Sequence, residues 1–162
     1  MAVVKEREEV LAVVGQRLPR VDGWAKVMGR AQYADDLSLP GMLFGKLARS
    51  TQAHARIREI RVQRALELPG VVAVITGKDL PIRYGVFPVG QDETALAVDK
   101  VRYVGEPVAA VAAVDPYTAE EAVRLIEVDY EPLPARMSIE EALAHPEPRI
   151  HDYGPFGNVH RQ

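Results

Sequence analysis

The chain has 162 residues, 20 lysines and arginines against 23 aspartates and glutamates, and no cysteine. A chain of this length buries roughly two thirds of its unfolded surface in a single core, so it needs no disulfide or structural metal to fold. The composition excludes a thiolate zinc site, a thiol nucleophile and an all-cysteine iron–sulfur cluster held by this chain, and the net charge of -3 argues against a nucleic-acid partner, which would need a concentrated basic face.

The first fourteen residues (1–14) are predicted to be an N-terminal extension. Five consecutive charged residues, Lys5 to Glu9, interrupt the apolar core that a secretory signal would need. The longest apolar runs, such as Val71–Ile75 and Val108–Val114, are far shorter than the roughly 20 residues that span a bilayer. We therefore expect no membrane partner and a cytoplasmic protein.

Residues 15–62 predict irregular chain followed by two strands. Glycines and a proline in 15–34 favour short connections, and Leu39-Pro40-Gly41 is typical of a turn. Met42–Arg49 is a predicted strand. Ala55–Val62 is also predicted to be extended, but its apolar residues change face part way along, which indicates a bulge near Arg58-Glu59.

Residues 63–93 predict a short helix, a buried strand and a long loop. Gln63–Leu68 has room for one or two helical turns before Pro69-Gly70. The β-branched apolar run Val71–Thr76 lies between turn residues and is predicted to be a buried strand. The prolines and glycines of Pro81–Glu93 predict a long loop, and such loops often form functional surfaces.

Two strands, or one strongly kinked strand, are predicted on either side of the bend Gly105-Glu106-Pro107. They are Val101–Val104 and Val108–Val114, and proline at the bend cannot donate to a strand ladder. The clearest helix follows, because Asp115 is a favourable N-cap, Pro116 suits the first helical position, and apolar residues then recur at helical spacing.

The C-terminal part predicts one more strand, one more helix and a tail. Ile126–Tyr130 alternates apolar and acidic residues, as a half-buried strand does. Ser138 with Glu141 is a capping pattern for a short helix. Residues 145–162 are rich in proline and glycine and are expected to form a linker-like tail. The whole pattern predicts an α+β (mixed α/β) domain over 15–144, with a mixed sheet and two or three helices.

No catalytic constellation is recognisable in the residues themselves. Gly77-Lys78 is similar to the end of a phosphate-binding loop, but Val72 stands where that loop needs a glycine and Asp79 where it needs serine or threonine. No Gly-x-Gly-x-x-Gly sequence is present, and none of the three serines lies in a Gly-x-Ser-x-Gly turn. A structural turn after a strand is the simpler interpretation of Gly77-Lys78.

The histidines form the nearest approach to a metal-binding set. His145, His151, Asp152 and His160 are residue types that bind metals, but they lack the helical i, i+4 spacing and lie in the predicted tail. His54 follows a predicted strand and is expected to have a structural or surface role.

Two charged groups have both a binding and a purely structural interpretation. Four arginines could bind an anion, although nearby glutamates would neutralise part of their field; they are Arg56, Arg58, Arg61 and Arg64. Three acidic residues are expected to form the solvated face of a half-buried strand; they are Glu127, Asp129 and Glu131.

The order of motifs along the chain resembles one known family. Seven segments carry the resemblance: Gly15–Asp36, Ala53–Ile57, Leu68–Val74, Thr76–Pro81, Asp99–Ala109, Thr118–Ala122 and Val128–Pro134. They are similar to the opening of the large subunit of xanthine oxidase family molybdenum hydroxylases, over about Gly15 to Ala144. Variants at Tyr84-Gly85-Val86, Arg102-Tyr103 and Glu106-Pro107 most resemble the 4-hydroxybenzoyl-CoA reductase branch.

The resemblance implies an α/β hammerhead domain that precedes the molybdopterin-binding domains of a longer polypeptide. It implies no catalytic, cofactor-binding or metal-binding residue in this chain, because the family's catalytic glutamate and cofactor segments lie further along the large subunit. The implied partners are the molybdopterin-binding remainder of the large subunit, an iron–sulfur subunit and a flavin subunit. Together these would carry molybdopterin-bound molybdenum, 2Fe-2S clusters and, where present, FAD, and act on an aromatic, aldehyde, purine or acyl-CoA substrate.

Gly105, Glu106 and Pro107 are the candidate site residues. One hypothesis is that their bend faces the cofactor domains, and the alternative is an exposed hairpin or structural kink. For the whole chain, the alternative to a non-catalytic part of a molybdenum enzyme is a free-standing interaction module that kept the fold without the enzyme.

Overall fold

A computed structural model describes residues 12–85, 91–152 and 156–159. The chain divides into two compact units, Met1–Pro40 and Gly41–Gln162. The described part of the first unit is mostly irregular, as its glycines and proline predict, with a short helix α1 (Gly23–Val27) and one 3-10 turn (Ala34–Asp36). The predicted start of the domain at residue 15 lies within this first unit.

The second unit holds the remaining elements of the described chain. In order they are β1 (Phe44–Arg49), β2 (Ala55–Arg61), α2 (Gln63–Leu66), β3 (Val71–Thr76), β4 (Arg83–Tyr84), β5 (Glu93–Thr94), β6 (Lys100–Val101), β7 (Pro107–Ala113), α3 (Pro116–Arg124), β8 (Glu127–Pro132) and α4 (Ile139–Ala144).

The strands form three small sheets, and each described strand pair is antiparallel. The first sheet has the order β1-β7-β3, the second β6-β2-β8, and the third is the hairpin β4-β5. The predicted α+β class is confirmed, with separate antiparallel sheets where one mixed sheet was expected. The described residues form four α-helices where two or three were expected, and the additional one is the five-residue α1, in a segment that was predicted to be irregular.

The bulge predicted in β2 is confirmed. The pairing of β2 with β8 shifts register between Ile57 and Glu59. The extra residue, Arg58, lets Ile57 and Ile60 both pack against the hydrophobic core, although they lie on opposite phases of the sequence.

The helix α3 begins where its capping residues predict. Asp115 accepts hydrogen bonds from the backbone N–H groups of Tyr117 and Thr118, at 2.8 and 2.9 Å, and Pro116 occupies the first helical position. The helix contacts all three strands of the first sheet and buries Ala119 and Ala122.

The core is built largely from small side chains. Its buried members are mainly alanines and valines of β1, β7 and α3, and the largest fully buried side chains are Val101 and Val108. Close approach between α3 and the sheet therefore depends on alanine at the contact positions.

The prediction that Val71–Thr76 is a buried strand is wrong in one respect. The strand forms, but only one of its faces is covered, and Val72 is 56% exposed. An apolar run without alternation predicts burial on both faces, whereas here the second face of the sheet is accessible in this chain.

The segment predicted as the long loop 81–93 contains the small hairpin β4-β5. Its middle residues, 86–90, lie outside the described part of the chain.

The predicted strand Val101–Val104 is limited to Lys100–Val101, because Arg102 donates its backbone N–H to the carboxylate of Glu106. In the described part of the chain, no helix combines the length and the apolar character that crossing a bilayer requires.

Candidate functional site

The bend between β6 and β7 is fixed by backbone hydrogen bonds to the chain just after β1. The N–H of Gly105 donates to the carbonyl of Ser50, and the N–H of Ser50 donates to the carbonyl of Glu106, both at 2.8 Å. The Arg49 guanidinium donates to the Gly105 carbonyl at 2.8 Å. Gly105 has a φ of +92°, which residues with a Cβ rarely adopt. The bend is therefore a defined part of the fold.

The carboxylate of Glu106 points into the domain. Its side chain is 13% exposed, accepts from the backbone N–H of Arg102 and lies 3.7 Å from the Arg102 guanidinium. Burial raises the pKa of Tyr130, a hydrogen bond with Ser50 opposes the shift, and the negative charge of Glu106 adds to it. The two contacts of Glu106 with Arg102 stabilise the turn that contains both residues.

The side chains that the bend presents to solvent are Tyr103 and Val104, which are 55% and 64% exposed. Pro107 is half-buried, lies opposite Arg49 at a register shift, and accepts a hydrogen bond from the N–H of Ala97 at 2.8 Å. The accessible apolar surface therefore lies just before the three residues that the sequence singled out. The sequence did not predict that Tyr103 and Val104 are exposed, because that depends on how the turn folds and turns Glu106 inward.

A cavity of about 290 Å³ lies beside Tyr103 and Val104. His54 and Arg136 are among the residues that line it. The structure places His54 in the interior, 4% exposed, with Nδ1 3.0 Å from the carbonyl oxygen of Pro134. The His54 Nε2 and the Arg136 Nε are buried without a hydrogen-bond partner in the described parts of the chain.

Three of the four arginines that were candidates for anion binding, Arg58, Arg61 and Arg64, are engaged with carboxylates of β8 and β2. Arg61 and Arg64 both bind Glu127, at 3.2 and 2.9 Å, and Arg61 also binds Glu59 at 2.7 Å. The hydrogen bonds from Arg61 and then Arg64 lower the pKa of Glu127. These pairs form a charged, solvated face on the second sheet, and they neutralise much of the positive field that an anion would need.

A further pair joins Arg58 to Glu131 at 3.5 Å. Two of the three acidic residues of β8, Glu127 and Glu131, are therefore partners of arginines across the bulged ladder on a solvent-facing surface. The sequence alone did not reveal this pairing, because it depends on the antiparallel register of β2 and β8.

The two described histidines of the candidate metal set, His145 and His151, have separate surroundings. His151 Nδ1 lies 2.7 Å from the carboxylate of Asp92, whereas His145 follows the end of α4. His160 lies outside the described residues. Within the described ranges, no group of three or more histidine, cysteine, aspartate or glutamate residues is placed to hold a metal ion.

Asp152, the fourth member of that set, binds a buried lysine instead. Its carboxylate lies 2.8 Å from Nζ of Lys100, a side chain that is 10% exposed, and Lys100 also donates to the carbonyl of Arg149 at 2.7 Å. Burial acts to raise the pKa of Asp152, but the hydrogen bond and the charge of Lys100 outweigh it, so the pKa is lowered. These contacts hold 149–152 against β6.

Comparison with known proteins accounts for the architecture. Residues 28–134 match the sequence model described as "Aldehyde oxidase and xanthine dehydrogenase, a/b hammerhead domain". The carbon monoxide dehydrogenase large chain of Afipia carboxidovorans is 46% identical over 132 residues, which are 80% of this chain and 16% of that protein. The nicotinate dehydrogenase large molybdopterin subunit of Eubacterium barkeri is 39% identical over 141 residues, covering 86% of this chain and 33% of that protein.

A solved structure shows the same fold. Quinoline 2-oxidoreductase from Pseudomonas putida 86 superimposes with a TM-score of 0.80 at 39% identity, over 91% of this chain and 20% of that chain. The chain thus spans one third or less of the length of these relatives. The α/β hammerhead fold is confirmed, and the chain belongs to the hammerhead-domain family of aldehyde oxidase and xanthine dehydrogenase.

Proposed function

We propose that this chain is the hammerhead portion of the large, molybdenum-binding subunit of a molybdenum hydroxylase-family oxidoreductase, and that it is not catalytic alone. The observation that carries the proposal is the family match over 28–134, supported by 46% identity to a carbon monoxide dehydrogenase large chain. In this role the domain shapes the subunit, while a cofactor held elsewhere supplies the redox chemistry.

The residues of this chain do not fit the cofactors that the family implies. Cysteines that would hold a 2Fe-2S cluster are lacking in the sequence. Two partly buried charged pairs, Glu106 with Arg102 and Asp152 with Lys100, are committed to each other. Molybdopterin, iron–sulfur clusters and any FAD would accordingly belong to the remainder of the large subunit and to iron–sulfur and flavin subunits of a cytoplasmic complex.

A finer proposal concerns the substrate. Variants at Tyr84-Gly85-Val86, Arg102-Tyr103 and Glu106-Pro107 suggest an acyl-CoA of the 4-hydroxybenzoyl-CoA type. Two relatives are named for carbon monoxide and for nicotinate, so these two compounds are the alternative substrates to test. Electron transfer from carbon monoxide or nicotinate to an artificial acceptor, and from a reduced artificial donor to 4-hydroxybenzoyl-CoA, measured with the purified complex, distinguishes them.

The bend is proposed as a contact with the cofactor domains. Its exposed apolar pair Tyr103 and Val104 supports this, because aromatic and aliphatic side chains at a rigid turn form good interface anchors. The prediction for Gly105, Glu106 and Pro107 is then that their backbone positions this pair.

The direct test is to purify the chain from its source by an affinity tag and measure molybdenum, iron and flavin in the eluate. The proposal expects molybdenum and iron to be recovered with the tag. Recovery of the tagged chain alone, without molybdenum, iron or flavin, would contradict it and would favour the free-standing interaction module.

A further inference from the structure

Two neighbouring rows of paired residues on one face of the first sheet carry no charged side chain, and the charged Arg49, at the end of β1, donates to the carbonyl of Gly105. In an antiparallel ladder, directly paired residues point to the same side, and the pairs Leu47 with Ala110 and Ala110 with Ile75 lie on the side opposite α3. The neighbouring row pairs Gly45 with Ala112 and Ala112 with Ala73. These six residues are here called the open face: Gly45, Leu47, Ala73, Ile75, Ala110 and Ala112.

The open face is accessible in this chain. Leu47 and Ile75 are each 40% exposed, and the two alanines of the central strand β7 are half-buried. Since adjacent strands are about 4.8 Å apart, Leu47 and Ile75 stand about 10 Å from each other, with the methyl group of Ala110 between them. The result is a shallow apolar trough over β7.

The second sheet of the same domain shows what a solvent-facing surface looks like here. Its outer side carries ion pairs such as Arg61 with Glu127 and Arg58 with Glu131. Antiparallel sheets with one face in water normally place polar residues on that face. The open face departs from this pattern at all six positions, and depletion of charge is typical of the centre of a permanent interface.

The end of β7 next to the open face is already packed by this chain. Val108 lies at the register shift of β7 against β1, is 1% exposed, and belongs to the same core cluster as Ala48 and Ala109. The segment Leu96–Ala97 lies close by, because Ala97 donates to the carbonyl of Pro107 at 2.8 Å and belongs to the same cluster. The open face therefore begins beyond Val108, at Ala110.

We infer that the open face packs permanently against the molybdenum-binding remainder of the large subunit, and this inference rests on the proposed function. The relatives carry two thirds or more of their length beyond the matched part, which is ample chain to supply the missing layer. An uncharged surface of glycine, alanine, leucine and isoleucine suits an obligate contact inside one subunit better than a transient partner, whose interface would be more polar.

Because the chain has no cysteine, a single introduced thiol reports on one position. The experiment compares Leu47→Cys and Ile75→Cys with the control Tyr117→Cys, which lies on α3 on the other side of the sheet and is 84% exposed. Each variant is labelled with a maleimide, once as the 162-residue chain alone at a concentration where light scattering shows a monomer, and once in the tagged complex from its source. Mass spectrometry of the peptide gives the labelling rate, and the molybdenum content is measured in the same sample.

The expected result is that L47C and I75C label about tenfold or more slowly in a molybdenum-containing complex than in the chain alone, because burial in a stable interface protects them. Y117C labels at the same rate in both, and denaturant restores labelling of the protected thiols.

Two results would overturn the inference in distinguishable ways. Unprotected L47C and I75C in a complex that contains molybdenum would disprove the docking surface and leave the proposed function intact. Protection without molybdenum, in a species with twice the mass of the chain, would identify a second copy as the occupant and would contradict both proposals.

Discussion

At the residue scale, Asp115 determines where α3 begins. Its carboxylate accepts from two backbone N–H groups of the first turn, and hydrogen bonds from Thr118 lower its pKa from the ordinary value of 3.8. A carboxyl whose pKa is lowered in the folded state stabilises the fold above its unfolded pKa of about 3.9, and this stabilisation is lost as the pH falls through the folded value.

The Asp115→Ala variant is therefore expected to melt at a lower temperature than the original chain at pH 7. The difference should shrink below about pH 4, because the carboxyl of the original chain then becomes protonated. Thermal unfolding followed by circular dichroism from pH 7 to pH 2 measures it. Glu120→Ala, which removes an exposed carboxylate from the second turn of the same helix, is the control. A melting difference that stays constant to pH 2 would show that the carboxylate charge has no part in the cap.

Glu106 provides a second prediction at this scale. Glu106→Ala removes the acceptor of the Arg102 backbone N–H in a region that is largely buried, so it should destabilise the chain by about 1–3 kcal/mol. Glu131→Ala, which removes one exposed partner of Arg58, should cost about 0–1 kcal/mol. Urea unfolding of the two variants compares them directly, and equal losses would mean that Glu106 is an ordinary surface carboxylate.

At the element scale, the turn after β3 must approach the segment before β6 closely. A Cβ built on Gly77 would lie 2.3 Å from the carbonyl oxygen of Ala97, whereas a Cβ on Gly45 would meet only the carbonyl oxygen of Val111, at 3.9 Å. The two glycines therefore differ sharply in the space around them.

Gly77→Ala is expected to lower the free energy of unfolding by about 1–3 kcal/mol, because the backbone of one segment must shift. Gly45→Ala should change it by less than about 0.5 kcal/mol. Denaturant titration of both variants tests this. A loss at Gly45 as large as that at Gly77 would show that the close approach to Ala97 is not what limits the turn.

Local sequence signals predicted several of these elements correctly. The phase change between Ile57 and Ile60 located the bulge of β2, and Asp115-Pro116 located the start of α3, because both features depend on a few adjacent residues. The two-residue strands β4 and β5 were not predicted, since so short a pair inside a loop has no periodicity to detect. The contact of Glu106 with Arg102 was likewise not predicted, because it depends on the turn that brings these two residues together.

At the scale of the whole molecule, the two larger sheets present opposite kinds of surface. The second sheet faces solvent with ion pairs, and the open face of the first presents only small and aliphatic side chains. The run Val71–Thr76 was predicted to be buried because its residues are almost all apolar. In this chain some of those apolar side chains are exposed to solvent. The register of β1, β7 and β3 was needed to see that the exposed positions lie on one side.

The isolated chain is accordingly expected to self-associate through the open face as its concentration rises, since large exposed apolar patches promote association. Combined Leu47→Glu and Ile75→Glu substitutions should return it to a monomer in size-exclusion chromatography with light scattering. Tyr117→Glu, which adds a charge on the opposite layer, should leave the association unchanged. A monomer at every concentration would argue against an unsatisfied face.

The central claim is that this chain is part of a molybdenum-binding subunit. The measurement that tests it most directly is the molybdenum content across the size-exclusion peak that contains the tagged chain purified from its source. We predict a constant molar ratio of molybdenum to chain throughout that peak. A peak that contains the folded chain and no molybdenum would contradict the claim.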